Sequence, residues 1–269
     1  MVFVDFHSPV FWLYVLLTAL IPGLLATWLG VGGCFLRIPM MMYLFGLPIK
    51  VAYCVNQMVI AITTLPGVYV HWKNKHIYAR GTIVAAVSAV AGTMLGAYVV
   101  ARYISPIHLR AIFGFVCVGI GIYVFWNTYR ARGKLAKRVT VEEAGKLEAG
   151  VKLAALMFLA GFATGICGFG GGIYYVPVFM ALGYPTHVAV GSSSAQMIFT
   201  ASSGSAVLAA SGFHNMLMFA VIGIPTLVAS WCGAKLSKKS APWLLRMVYA
   251  ILISAVGLYV AIDALTKIL

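Results

Sequence analysis

Acidic residues are scarce in this chain. Only 5 of its 269 residues are Asp or Glu, against 19 Lys and Arg, and charged residues together make up 9% of the sequence. The five acids, which lie outside the predicted membrane core, are Asp5, Glu142, Glu143, Glu148 and Asp263. Apolar segments without carboxylates lack the ligands that cation transport and common proton relays use. The sequence therefore argues against metal-cation transport and fits an anion pathway.

Motifs for catalysis and cofactor binding are also missing. The five cysteines lie in apolar segments without metal-type or disulfide-type spacing, and the histidines form no metal motif. Cys34 and Cys167 each adjoin a glycine cluster. Two explanations of these residues are open: they are small buried hydrophobic residues, or they handle a sulfur substrate. No Walker A motif is present, so any use of ATP would need a partner. We expect no cofactor, no metal site and no enzymatic activity.

Long apolar runs dominate the rest of the sequence. Hydrophobic residues make up 62% of the chain, and its mean hydropathy is +0.99, which is outside the range of soluble domains. The pattern predicts an all-α polytopic membrane protein of the plasma or inner membrane. The net charge of +14 then fits basic cytoplasmic loops. We expect the lipid bilayer as a partner, and no nucleic acid.

A glycine motif occurs twice, as GVGG at 30–33 and as GFGGG at 168–172, and a proline follows each copy at the same distance. Further matches at almost the same offset run through both halves, which indicates an internal repeat. We divide the chain into a first membrane repeat at 1–129, a charged cytoplasmic linker at 130–152 and a second membrane repeat at 153–269.

Each half contains five predicted helical segments. They are 10–29, 34–46, 51–71, 81–103 and 107–129 in the first half, and 153–167, 173–183, 187–211, 215–234 and 241–265 in the second. The last three of each half are long enough to cross a core of about 30 Å, whereas 173–183 would reach only about 16 Å. The first two of each half therefore predict a glycine-tipped helical hairpin, although 10–29 is long enough to span.

The charges of the loops predict how the repeats are oriented. The linker at 130–152 holds seven Lys and Arg, and if it is inside, the basic loops 72–80 and 235–246 fall inside too. Their repeat partners, loops 212–215 and 103–109, contain no Lys or Arg. Matching loops of which one is rich and the other poor in Lys and Arg are typical of inverted repeats, whereas parallel repeats would place basic loops at matching positions. We expect two inverted repeats, each a hairpin plus three transmembrane helices, with both termini outside.

The repeated motifs GVGGCFLRIP and GFGGGIYYVP, with GLPIKVA at 46–52 and GYPTHVA at 183–189, resemble the sulfite exporter TauE/SafE family over residues 12–265. The resemblance implies a permease, with export as its direction, for small sulfur-containing anions such as sulfite or organosulfonates. The chain departs from the family at Arg37, where an apolar residue is usual, and at Asn56 and Gln57, where small hydroxyl residues are usual.

The glycine tips form the candidate substrate site. Inverted hairpins would bring both tips together near the middle of the bilayer, where each precedes a helix N-terminus with unpaired N–H groups and partial positive charge. Glycines let the backbone approach a ligand, so the tips would bind an anion as helix N-termini bind phosphate. Close helix packing by small residues is the alternative explanation of the glycines.

Polar residues near the tips complete the predicted site. The Arg37 guanidinium suits two oxygens of a sulfonate, although snorkelling to the headgroups or capping a carbonyl would also explain it. Tyr175 is its repeat partner and offers a hydroxyl donor. Amides and hydroxyls of the next segments would contact substrate or join helices; Thr63, Thr64 and Thr200 are weaker candidates because threonine can bond its own helix. The predicted substrate-binding residues are Gly30, Gly32, Gly33, Arg37, Asn56, Gln57, Gly168, Gly170, Gly171, Gly172, Tyr175, Ser193, Ser194 and Gln196.

We therefore interpret the chain as a permease that moves a small sulfur oxyanion or organosulfonate by alternating access. Thiosulfate, a carboxylate or another small anion is the alternative within transport. A membrane thiol enzyme of sulfur metabolism that uses Cys34 or Cys167 is the alternative from another class, although no general base adjoins either cysteine in the sequence. A non-transporting receptor subunit, and assembly with further copies of the chain, also stay open.

Overall fold

The computed structural model describes residues 8–28, 33–130, 141, 147–237 and 242–268, which are helical almost throughout and contain no strand. The all-α fold class is therefore confirmed. The helices are α1 (Pro9–Trp28), α2 (Cys34–Leu44), α3 (Ile49–Thr63), α4 (Leu65–Lys73), α5 (Ala79–Arg102), α6 (Pro106–Arg130), α7 (Val151–Cys167), α8 (Gly172–Ala181), α9 (Thr186–Ala210), α10 (Met216–Ser237) and α11 (Pro242–Ile268).

Several of these helices can cross a membrane, as the prediction of a multi-pass protein requires. The segments that are long and apolar enough are Ile49–Lys73, Ala79–Arg102, Pro106–Arg130 and Arg246–Ile268. The predicted span at 187–211 does not reach the same standard, because α9 is 25 residues long but rich in serine. The helix α10 corresponds to the predicted span at 215–234 and has 22 residues.

The predicted hairpins have the expected short helices. In the second half, α7 has 17 residues and α8 only 10, and the two helices contact each other. Gly168 ends α7 in the left-handed region at φ +66°, and its N–H bonds to the Thr164 carbonyl at 2.9 Å. Gly171, at φ +93°, precedes α8. Only glycine adopts these angles without strain, so the glycine cluster sets the turn.

The first hairpin is described only in part. Its helices α1 and α2 contact each other, and α2 has 11 residues. Gly33 lies directly before α2, and a Cβ on Gly33 would overlap the carbonyl oxygen of Pro22 in α1. The helices therefore approach closely at this glycine. Gly30 and Gly32 lie outside the described residues.

The predicted helix at 51–71 is divided in the structure. A turn at Thr64 separates α3 from α4, two residues before Pro66. Proline has no N–H to donate to the carbonyl four residues earlier, and its ring crowds that carbonyl, so the helix is interrupted. The interruption is local, because Thr64 keeps helical backbone angles and Ile49–Lys73 still forms one candidate span.

The chain forms two compact units, and each takes helices from both halves of the sequence. Unit 1 comprises Met1–Tyr53, Tyr103–Lys134 and Asn215–Leu269, and unit 2 comprises Cys54–Arg102 and Leu135–His214. Within unit 1, α1 packs against α10 and α6 against α11; within unit 2, α5 packs against α7 and α9. The sequence division at 129 and 152 stays a prediction about repeats, and most of the linker lies outside the described residues.

Equivalent small residues make equivalent contacts in the two units. In unit 2, a Cβ on Gly161 of α7 would overlap the Ala89 carbonyl oxygen of α5; in unit 1, a Cβ on Gly23 of α1 would lie 3.0 Å from the Thr226 carbonyl oxygen of α10. Gly161 is the repeat equivalent of Gly23, and Thr226 is the repeat equivalent of Ala89 at almost the same offset. The repeat is therefore present in the packing of the helices, where small residues allow close approach.

The last helices of the two halves, α6 and α11, pack antiparallel within unit 1. A Cβ on Gly121 would lie 3.1 Å from the Ile253 side chain, and a Cβ on Gly257 would lie 2.5 Å from the Cys117 Cβ. Gly121 and Gly257 are repeat equivalents, as are Cys117 and Ile253. The contact is therefore nearly self-complementary, as contacts across a two-fold axis are.

We expect Gly161→Ala to destabilise the protein by about 1–3 kcal/mol, because the new methyl group would overlap the Ala89 carbonyl and force α5 and α7 apart. Thermal unfolding in detergent, followed by tryptophan fluorescence, measures the effect. Gly119→Ala in α6 is the matched control, since a Cβ there meets nothing within 4 Å. Equal melting temperatures for the two variants would contradict tight packing between α5 and α7.

Candidate functional site

The glycine tip of unit 2 is held by a buried amide. Asn56 of α3 is fully buried, and its Nδ2 donates a hydrogen bond of 2.9 Å to the Gly168 carbonyl oxygen. That carbonyl ends α7, where the helix supplies no partner for it. Asn56, a predicted site residue, therefore stabilises the tip directly.

Two glycines of the tip make room for side chains. A Cβ on Gly170 would lie 2.6 Å from Ile60 Cδ1, and a Cβ on Gly171 would overlap the ring of Tyr175. Tyr175 folds back from the first turn of α8, which begins at Gly172, so that its ring covers Gly171. Close packing therefore accounts for Gly170 and Gly171 in this structure, as the alternative explanation of the glycines expected.

Threonines surround the hydroxyl of Tyr175. This hydroxyl is buried and faces the side chains of Thr93, Thr164 and Thr200, which come from α5, α7 and α9. It reaches hydrogen-bond geometry with no residue that the structure describes. Each threonine hydroxyl already donates to a backbone carbonyl, to Gly161 for Thr93 and within its own helix for the others. Their oxygens therefore act as acceptors.

Gln57 has the least satisfied side chain in this region. It is fully buried on α3, and neither Oε1 nor Nε2 has a hydrogen-bond partner among the described residues. Its Oε1 lies against Gly204, and the methyl group of Thr93 lies against the same glycine. An unpaired buried amide costs about 1–3 kcal/mol in protein mutational data. Such a group is expected where a ligand supplies the missing partner.

A second amide lies one turn from Thr200. Gln196 is fully buried on α9, its Nε2 is 3.6 Å from the Met157 sulfur, and its Oε1 has no partner among the described residues. Six fully buried side chains thus share one region of unit 2. We call Gln57, Thr93, Thr164, Tyr175, Gln196 and Thr200 the neutral polar cluster.

The serine triplet is occupied by other contacts. Ser192 Oγ accepts the Tyr78 N–H at 3.2 Å, the Ser193 hydroxyl lies 4.0 Å from the Met197 sulfur, and Ser194 donates to the Val190 carbonyl of its own helix. Thr63 and Thr64 likewise donate to the carbonyls of Val59 and Ile60. The expectation that threonine bonds its own helix is confirmed for Thr63 and Thr64.

In unit 1, the first hairpin buries an arginine. Arg37 lies one turn into α2, its N–H bonds to the Gly33 carbonyl at 2.9 Å, and only 1% of the residue is exposed. A snorkelling side chain keeps its charged head at the surface. The snorkelling explanation of Arg37 was therefore wrong, because the surrounding protein encloses the guanidinium.

Asp263, a carboxylate on α11, is already paired. Asp263 of α11 accepts a hydrogen bond from the Tyr43 hydroxyl at 2.8 Å and forms ion pairs with Lys267 at 2.6 Å and Arg110 at 3.5 Å. Two cations and a phenol bond this carboxylate near the end of α11. Asp263 is a structural anchor for α2, α6 and α11.

Histidines meet at one end of unit 2. The His71 and His76 rings are 5.8 Å apart, and the His76 and His187 rings stack at 5.3 Å. Among the described residues, no three His, Cys, Asp or Glu side chains are placed to hold a metal ion. The contact joins the loop after α4 to the start of α9.

Sequence reasoning missed Thr93 and Thr164. Each lies beside glycines spaced four residues apart, Gly92 and Gly96 or Gly161 and Gly165, which mark a closely packed helix face. That spacing was the available signal. It did not reveal that both threonines would face Tyr175, because the contact joins three separate helices.

Comparison with known proteins gives a consistent result. The family model described as "Sulfite exporter TauE/SafE" matches residues 15–260. A protein of Methanocaldococcus jannaschii named "Probable membrane transporter protein" is 24% identical over 259 residues, covering 91% of this chain and 93% of its own. YunE of Bacillus subtilis, with the same descriptive name, is 27% identical over 234 residues, covering 81% and 84%. No solved structure matches the chain.

We expect Asn56→Leu to destabilise the protein by about 1–3 kcal/mol, because the Gly168 carbonyl would stay buried without its donor. Gln57→Met, the neighbouring control, removes an amide that makes no hydrogen bond and should leave stability unchanged or higher. Thermal unfolding in detergent compares the two. A larger loss of stability for Gln57→Met than for Asn56→Leu would contradict the role of Asn56 in holding the Gly168 carbonyl.

Proposed function

Because the chain belongs to the sulfite exporter TauE/SafE family, whose relatives here are named as membrane transporters, we propose that it exports a small sulfur-containing anion. Sulfite is the substrate that the family description names, and organosulfonates are the further candidates in our proposal. The membrane would be the plasma or inner membrane. The protein is a multi-pass membrane transporter; the substrate, the direction and the membrane are our proposal.

The neutral polar cluster is the observation that supports an anion as substrate. It offers buried hydrogen-bonding groups, with Gln57 unsatisfied, beside a helix N-terminus at the tip of a hairpin. Among the described residues, Arg37 and Lys50 are the buried charged side chains, and no carboxylate is buried. A cation site within a membrane protein usually includes a carboxylate. The balance of groups favours a negatively charged substrate.

Arg37 and Tyr175 support the same proposal through the repeat. They occupy equivalent positions on α2 and α8, and both side chains are buried. In our proposal the phenol of unit 2 binds a substrate oxygen, and the guanidinium of unit 1 is a separate candidate donor within its own unit. A planar guanidinium presents two donors to such a group.

We also propose that the two repeats are inverted and that transport proceeds by alternating access. The antiparallel packing of α6 and α11 supports inversion, because these helices are repeat equivalents. The equivalence between the α1–α10 and α5–α7 contacts supports the repeat itself. Inverted repeats give a transporter two related conformations that open to opposite sides.

Catalysis by a thiol is the alternative that we reject. Cys34 and Cys167 are both buried, and a nucleophilic thiol needs a nearby base and access to substrate. We propose that the protein is not an enzyme and that both cysteines fill space in the apolar packing. Thiosulfate or a carboxylate stays an alternative substrate, because the neutral polar cluster would offer the same donors to either.

Flux measurements in liposomes test the proposed function. We expect the reconstituted protein to carry sulfite or an alkanesulfonate faster than phosphate or acetate, and Gln57→Met to reduce that flux at least about tenfold, a loss of about 1.4 kcal/mol in the transport step. Cys34→Ser with Cys167→Ser should leave flux intact. Absence of flux for every anion would refute the proposal that the protein is a permease. Loss of flux in the cysteine variant would favour the alternative that it is a thiol enzyme.

Labelling of equivalent loops tests the inverted repeat. In a Cys232→Ser background, which removes the exposed native thiol, we introduce Asn74→Cys or His214→Cys, both at exposed positions. An impermeant thiol reagent added outside should label the His214→Cys variant alone, because basic loop 72–80 is predicted inside. Labelling of both variants from the same side would indicate parallel repeats.

A further inference from the structure

We propose that this transporter binds its oxyanion in the singly charged, proton-bearing form, such as hydrogensulfite, and that Gln57 recognises the proton. The proposal rests on the proposed function and adds the charge state of the substrate. It follows from two properties of the neutral polar cluster: its lack of charge, and its supply of hydrogen-bond acceptors.

The first property concerns charge. The neutral polar cluster contains amides, hydroxyls and a phenol, and no buried charged side chain lies among the described residues of unit 2. The energy of burying an ion rises with the square of its charge, so a dianion costs about four times as much as a monoanion of the same size. Neutral donors can offset the smaller cost more readily than the larger one. The cluster therefore favours a monoanion.

The second property concerns acceptors. Thr93, Thr164 and Thr200 have committed their hydroxyl protons to backbone carbonyls, so their oxygens offer lone pairs. The amides of Gln57 and Gln196 add carbonyl oxygens without partners. A fully deprotonated oxyanion brings acceptors alone and would leave these oxygens unsatisfied. An oxyanion with one O–H group supplies a donor.

Donors for the remaining substrate oxygens are also present. Tyr175 has a hydroxyl proton, and the Gln57 Nε2 has two protons without partners. Exchange of the two Gln57 amide atoms does not change the argument, because neither atom has a partner. Gln57 thus presents an acceptor and donors side by side, which matches the O–H and S–O groups of hydrogensulfite.

Titration of the protein near Gln57 does not explain a response close to neutral pH. The buried titratable groups that unit 2 places on the helices around Gln57 are Cys54, Cys167 and Tyr175, and phenols and thiols ionise in alkaline solution. The histidines of unit 2 that meet at its end are His71, His76 and His187. Their titration would change the transport of every substrate, and a control anion of fixed charge therefore corrects for it.

The test uses full-length protein in liposomes with labelled sulfite, whose second proton titrates near neutrality. At constant total sulfite, we expect flux to fall about tenfold for each pH unit above that titration, as the monoanion is depleted. Methanesulfonate, a monoanion at every pH used but without an O–H group, should compete with sulfite across the range, though less well than hydrogensulfite binds. Sulfate, a dianion of similar size, should compete at least about tenfold less well, a difference of about 1.4 kcal/mol.

The outcomes separate this inference from the proposed function. Sulfite flux that stays constant or rises with pH, or equal competition by sulfate and methanesulfonate, would overturn the selection of the monoanion while leaving the permease intact. Absence of sulfite and methanesulfonate transport would overturn both. Gln57→Met should weaken the preference for hydrogensulfite, which has an O–H group, over methanesulfonate, which has none, whereas Ser203→Ala, whose hydroxyl bonds to the Thr200 carbonyl of its own helix, should keep it.

Discussion

The hydrogen bond from Asn56 to the Gly168 carbonyl is the interaction on which the second hairpin depends. A helix that ends inside a membrane protein leaves carbonyls that no water can reach. Asn56 supplies a donor from α3, and Gly168 supplies the left-handed turn that presents the carbonyl. With the end of α7 held in this way, α8 begins at Gly172 and Tyr175 folds over Gly171. The neutral polar cluster forms around that tyrosine.

Small residues determine how the helices assemble around the hairpins. Two helices surrounded by lipid gain little from burying apolar surface against each other, so close backbone approach and the resulting dispersion contacts carry more of the stability. Gly161 and Gly23 provide that approach in units 2 and 1. Polar groups enclosed by such tight packing lose their hydration. An unpaired amide such as Gln57 therefore indicates a place where a ligand supplies the missing hydrogen bond.

Much of this architecture could be predicted from local sequence. The glycine clusters and the short apolar segments beside them predicted hairpins, because a left-handed turn and a helix of 10 residues follow from local chemistry. Contacts between distant helices were less accessible. Sequence offsets identified equivalent positions, but not that each unit combines helices from both halves. The role of Thr93 depends on Tyr175 and Gln57 facing it, and the turn at Thr64 depends on Pro66 overriding an apolar pattern.

The contact between α6 and α11, which we call the seam, has a consequence for the substitutions that such a chain can accumulate in evolution. In a pair of identical subunits, one substitution at this seam would appear on both sides of the two-fold axis at once. Covalent fusion removes that constraint, so each side can vary alone. The seam already differs between its sides, since a Cβ on Gly121 would overlap the Ser254 hydroxyl, whereas a Cβ on its equivalent Gly257 would lie nearest the Cys117 side chain. If the repeats are inverted and transport proceeds by alternating access, as we propose, two conformations that would be equal in energy in a symmetric dimer become unequal, and the carrier has a preferred resting side.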